Sequence, residues 1–197
     1  MSKKIIISLI VILIVVVVAG GFFWWQSREI KGSPEDYVIK ETAEGKFMEN
    51  KKAGLTVKVP EGWEVEKMEV DEGLVILFPI ETKIEIRESR IVLPIEKGCL
   101  IRTTVVYREG DFNQIKKETR KDHFLIGGVI YDEFQEVTIN NYHGLKNSFE
   151  FEGLGSGISI YIPQKNKVYG FHLVWGAEEK ERCIWELNKF LETISIK

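Results

Sequence analysis

Lys167-Val168-Tyr169-Gly170-Phe171-His172-Leu173-Val174-Trp175 alternates strictly, with Tyr169, Phe171, Leu173 and Trp175 on one side and Gly170, His172 and Val174 on the other. Period-two alternation predicts a strand with one strongly apolar face. The chain then changes period. From Glu178 to Thr193, Ile184, Leu187, Leu191 and Ile194 recur at helical spacing, with Cys183 and Phe190 alongside. A stripe that wide predicts a helix laid on a sheet. Working backwards, Pro163-Gln164-Lys165-Asn166 reads as a turn and Ile158–Ile162 as the preceding strand. Gly153-Leu154-Gly155-Ser156-Gly157 connects to a further strand, Leu145–Phe151, with Leu145, Phe149 and Phe151 on one face. Asn140 to Gly144 reads as a turn following a strand at Phe134–Ile139.

Consecutive strands joined by short turns predict an antiparallel sheet, which needs helices to cover its apolar face. The same grammar extends towards the N-terminus. Leu55, Val57 and Val59 alternate with Thr56 and Lys58, and Pro60-Glu61-Gly62 ends that run. Leu74–Phe78, Lys83–Arg87 and Leu100–Tyr107 are further strands. Asp111-Phe112-Asn113-Gln114 has the spacing of a capping box, opening a helix to about Lys121. The expected class is α+β, an antiparallel sheet with helices packed on it.

The composition excludes several classes. The chain has 197 residues, 44% hydrophobic and 29% charged, with two Cys, so it is neither disulfide-dense nor low in complexity. A formal net charge of −3 argues against a basic nucleic-acid-binding surface, and no nucleic-acid partner is expected. The charge is uneven. Two Lys and no acid precede Gln26, which leaves 25 of the 27 basic residues against all 30 acids in the remainder.

The N-terminal segment differs from everything that follows it. Residues 5–25 carry no charge and one hydroxyl, Ser8. As a helix they would span about 31 Å, the thickness of a bilayer's hydrocarbon core. Thirteen of the residues from Ile5 to Val18 are Ile, Leu or Val, which favours insertion by roughly 4–8 kcal/mol. Phe22, Phe23, Trp24 and Trp25 fall where aromatic rings favour the lipid–water boundary. Cleavage after Ala19-Gly20-Gly21 would leave those aromatics as an uncovered terminus, so an uncleaved anchor is expected. Residues 1–4 are then a basic cytoplasmic tail, residues 5–25 a transmembrane helix, and the C-terminal domain extracytoplasmic in the cell membrane. Residues 26–53 read as a juxtamembrane stalk or domain entry. Within them Ser33-Pro34-Glu35-Asp36 has the signs of a helix start, while Tyr37-Val38-Ile39 suits a strand.

Three stretches carry a resemblance. Gly54-Leu-Thr-Val-Lys-Val-Pro-Glu-Gly-Trp63, Asn166-Lys-Val-Tyr-Gly-Phe171 and the helix Trp185-Glu-Leu-Asn-Lys-Phe-Leu-Glu-Thr-Ile194 resemble PsbP-like domains over residues 54–197. The resemblance implies an α/β/α sandwich hung from a membrane, with an accessory or binding role rather than catalysis. It implies no residue-level site, since such domains share a fold and not an active site.

Candidate chemistry is sparse. His123, beside Asp122, suits a polar helix end; His143 lies in a turn; His172 sits mid-strand on the face opposite the aromatics. Cys99 and Cys183 could pair as a disulfide in an oxidising compartment, the alternative being buried free thiols. The Gly153–Gly157 stretch lacks the Lys-Ser/Thr of a phosphate loop and leads into a strand. Arg108, Lys116, Lys117, Arg120 and Lys121 are interleaved with acids, as on a solvated helix face. No catalytic, metal-binding or cofactor-binding set emerges. The expectation is a single-pass, non-catalytic binding or accessory protein, in contact with the bilayer through residues 5–25 and with a protein partner in the cell envelope. A membrane-tethered hydrolase and a structural envelope component are the alternatives.

Overall fold

The structure is a computed structural model and describes residues 13–18, 20–21, 30–68, 74–87, 90–125, 129–151, 155–176 and 178–197. The chain divides into two compact units, residues 1–30 and 31–197. In the first, residues 13–18 and 20–21 are helical, and Leu13, Ile14 and Val15 to Val18 are each 55–65% exposed. Most of the segment read as a membrane helix, including Phe22 to Trp25, lies outside the described residues. Among the described residues no helix is long and apolar enough to cross a membrane.

The second unit begins earlier than the Gly54 boundary expected from the sequence. After the short strand β1 (Ile30–Lys31), Ser33 Oγ accepts from the Glu35 N–H, and Asp36 Oδ2 accepts from the Ser33 N–H. This caps a single 3-10 turn at Pro34–Asp36. The backbone at Tyr37 is already extended, so the helix start and the strand both exist, in succession. Strands β2 (Tyr37–Thr42) and β3 (Gly45–Asn50) form a hairpin, which β4 (Leu55–Lys58) extends. Tyr37, Met48 and Ala53 have no exposed surface at all and belong to the domain core.

Next come β5 (Trp63–Met68), β6 (Leu74–Pro79), β7 (Lys83–Arg87), β8 (Arg90–Lys97) and β9 (Cys99–Tyr107). Helix α1 (Phe112–Leu125) follows. Asp111 Oδ1 accepts from the Gln114 N–H at 2.7 Å, but the Gln114 amide turns to Glu118, 3.0 Å away. The capping box is therefore half made. The chain continues through β10 (Val129–Tyr131), β11 (Gln135–Ile139), β12 (Tyr142–Phe151), β13 (Gly155–Gln164) and β14 (Lys167–Trp175). It closes with α2 (Lys180–Glu192) and β15 (Ser195–Ile196).

The main sheet runs β10–β12–β13–β14–β9–β6–β5, antiparallel throughout, with β11 also paired to β12. The small sheet is β15–β4–β3–β2, and β7–β8 is a separate ribbon. Asn140 and Asn141, both with positive φ, form a two-residue turn between β11 and β12. The turn is shorter than expected, and Tyr142, His143 and Gly144 belong to the strand.

The larger core lies between the small sheet, α2 and one face of the main sheet. It gathers Met48, Leu55 and Val57 with Ile101, Phe171, Leu173, Leu187 and Phe190. The Phe171 and Phe190 rings meet edge-on, 5.9 Å between centroids. On the opposite face Ile115 of α1 packs with Leu145 and Val168. Helices therefore cover both faces, as the α+β expectation required.

Candidate functional site

Two features on the α1 side of the main sheet carry polar chemistry. The first is a row set by register. The ladders place Asn147 opposite Ser159, Ser159 opposite His172, and His172 opposite Arg102. Directly opposed residues share a face about 4.5–5.5 Å apart, so four polar side chains cross four strands in line. Ser159 Oγ and His172 Nδ1 are hydrogen-bonded at 2.9 Å, and the Tyr161 ring meets the imidazole edge-on at 5.4 Å. Gly170 makes room for this. A Cβ there would lie 2.4 Å from Thr104 Oγ1 and 2.9 Å from His172 Nε2.

Burial pulls the His172 pKa from 6.5 to about 3, and the charge of Arg102 acts in the same direction. The imidazole is therefore neutral across the physiological range. Asn147 is 2% exposed, and neither of its amide atoms has a hydrogen-bond partner among the described residues. A buried amide in that state costs roughly 1–3 kcal/mol. A Ser–His pair suggests a nucleophile and its base. Ser159, however, is only 3% exposed, so its hydroxyl is closed to a substrate. Within the row the Ser159–His172 bond ties β13 to β14.

The second feature is an open cleft of about 550 Å³ between the start of α1 and the β13–β14 turn. Asp111, Phe112, Lys116, Glu136, Pro163 and Lys165 line it. The lining thus combines two cations and two carboxylates with an aromatic ring and a proline. This mixture suits a zwitterionic or polypeptide surface better than a single-sign ion.

The residues singled out from the sequence are dispersed. His143 is exposed in β12 opposite Thr138, His123 belongs to α1, and His172 stands in the polar row. Among the described residues no group of three His, Cys, Asp or Glu is placed to hold a metal. Gly155 to Gly157 lie within β13. Arg108 of the basic run pairs with Glu118. Cys99 and Cys183 come together. Both are buried free thiols in one core, and the neighbouring Cys99 thiol, with burial, pushes the Cys183 thiol well above its ordinary pKa. The reading from sequence missed Asn147, Ser159 and Arg102. Ser159 carried a signal, a polar residue between apolar neighbours in Ile158-Ser159-Ile160, whereas Asn147, between Lys146 and Ser148, carried none.

No protein-family model matches the sequence, and no curated protein matches it. Among solved structures, the solution structure of cyanobacterial PsbP (CyanoP) from Synechocystis sp. PCC 6803 superposes with a TM-score of 0.52 at 7% sequence identity. The match covers 82% of this chain and 92% of that one. The fold is PsbP-like. At 7% identity the PsbP likeness extends to the architecture of sheet and helices and to no individual side chain.

Proposed function

We propose that the chain is a single-pass membrane protein that presents an extracytoplasmic PsbP-like domain as a non-catalytic binding module. The observation that carries this reading is the helical run Leu13 to Val18, whose six aliphatic side chains are each more than half exposed. Water does not favour so dense an apolar surface, whereas the acyl chains of a bilayer cover it without cost. The PsbP-like fold supports an accessory role, and the cleft at the start of α1 supplies a surface of mixed charge for a protein partner. Lys116 and Lys165 face carboxylates of that partner, and Glu136 faces a cation.

The test uses the full-length chain expressed with its own leader. Membranes are washed with alkaline carbonate, and intact spheroplasts or cells are treated with protease. Retention in the pellet, with the domain degraded from outside, is the expected result. Release into the supernatant removes the anchor from the reading, and protection of the domain reverses its orientation. Cross-linking in membranes should then capture a defined protein, with capture reduced at least threefold in the charge-reversed Lys116→Glu/Lys165→Glu variant. Equal capture by that variant would dismiss the cleft as the contact surface.

A further inference from the structure

We propose that Cys99 and Cys183 are joined by a disulfide that fastens the C-terminal helix to strand β9 of the main sheet. The backbone brings the two residues together from both sides. Cys99 opens β9 and stands opposite Trp175, the last residue of β14. The Gly176 N–H donates to Gly98 O at 2.9 Å, which holds the strand ends together just where the chain leaves for α2. Cys183 follows within the first turn of α2, its N–H donating to Glu179 O. Cys183 is thus the first buried residue of the helix and belongs to the same core as Cys99. Cys99 is 1% exposed, Cys183 is 0% exposed, and both belong to one hydrophobic cluster. The Cys99 thiol is the neighbour that acts most strongly on the Cys183 thiol. A disulfide asks for sulfurs about 2.05 Å apart on converging Cβ vectors.

The chemistry sets when the bond forms. Thiolates are the attacking species, and the neighbouring Cys99 thiol together with burial keeps Cys183 protonated in the folded domain. Oxidation therefore precedes closure of the core. One cysteine thiolate attacks the disulfide of an oxidant, either an oxidoreductase or a small disulfide such as oxidised glutathione. A mixed disulfide forms, and one oxidant sulfur leaves as a thiolate. The second cysteine, as thiolate, attacks the protein sulfur of the mixed disulfide. The Cys99–Cys183 bond forms, and the other oxidant sulfur departs. The protein loses two electrons, the oxidant becomes two thiols, and the two cysteine protons pass to solvent or to the departing thiolates. Once the helix has docked, the bond is sealed from reductants by the same burial.

The bond would close a loop between positions 84 residues apart, embracing β9, α1 and β10 to β14. Because β15 follows α2 directly and pairs with β4, anchoring the helix also anchors the edge of the small sheet. The proposal rests on the reading that the domain faces an oxidising compartment, but its test does not depend on location. Full-length protein in detergent is unfolded, reduced, and refolded in a glutathione redox buffer. It is then denatured without reductant, treated with maleimide and weighed.

The expected product carries no maleimide and is 2 Da lighter than the reduced chain, and digestion yields one cross-linked peptide pair containing Cys99 and Cys183. Its midpoint of thermal unfolding should fall by roughly 5–15 °C when the chain is reduced with phosphine while unfolded and refolded without oxidant. The Cys99→Ala/Cys183→Ala variant should show no such fall. Full alkylation of both cysteines after refolding overturns the proposal, as does an equal response to phosphine in the double variant. Such a failure would leave the membrane reading to the carbonate and protease experiments.

Discussion

Ser159 Oγ lies 2.9 Å from Nδ1 of His172, across the β13–β14 ladder and on the α1 side of the sheet. The bond fixes an imidazole that burial keeps neutral. With Asn147 on one side and Arg102 on the other, it converts an ordinary cross-strand pair into a polar row through an apolar layer.

Acid should loosen the domain through His172. Its folded pKa, about 3, lies below the unfolded value of 6.5, so below pH 6.5 the unfolded chain takes up a proton that the folded one refuses. The contribution to stability is complete above pH 6.5 and is lost as pH falls towards 3, by up to roughly 1.4 kcal/mol per pH unit. Urea unfolding at pH 7 and pH 5 should show a smaller decline for His172→Gln than for the parent chain. Identical declines would exclude His172 as the titrating group.

Asn140 closes the C-terminal end of α2. Its Nδ2 donates to Leu191 O, Glu192 O and Ile194 O at 2.6–3.3 Å, from a turn residue whose φ is 47°. Asn140→Gly keeps the backbone conformation and removes the cap, so it should cost about 1–2 kcal/mol in denaturant unfolding. A loss below about 0.3 kcal/mol would mean that water replaces the amide at no cost.

Phe190 seats α2 on the sheet. Phe190→Ala removes a fully buried ring that meets Phe171 edge-on, and about 3–5 kcal/mol should be lost. Calorimetry on the full chain measures this directly, and a loss under about 1 kcal/mol would show that α2 is not packed as described.

Gly157 is required by its neighbours. A Cβ there would lie 2.2 Å from Phe149 Cζ and 2.3 Å from Leu173 O, and the second of these is backbone. Gly157→Ala should therefore destabilise the sheet by at least about 1–3 kcal/mol. Gly62→Ala, with open space around it and φ of 75°, should cost about 1 kcal/mol from backbone strain alone. Equal effects at the two positions would contradict the close approach at Gly157.

Much of the architecture was legible because it is local. The alternation from Lys167 to Trp175 names its own two faces, and Ile184, Leu187 and Leu191 name the covering side of α2. The hairpin Tyr37–Asn50 was harder to read. Its sequence is charged, and its burial falls on Tyr37, Met48 and Asn50, so neither alternation nor apolar density marks it. Its place in the core comes from pairing with β4 and from the sheet it lies against, contacts that periodicity does not encode.

The sequence by itself determined the apolar leader, the antiparallel meander and the helix that covers it, since each follows from the spacing of side chains along one stretch of backbone. Tertiary structure alone decided that β14 pairs with β9 rather than with a nearer strand. That pairing sets His172 beside Arg102, seventy residues earlier, and brings Cys99 under Cys183. Side-chain period tells which way a residue points. Register between distant strands tells what it meets, and register is settled by the packing of the whole core.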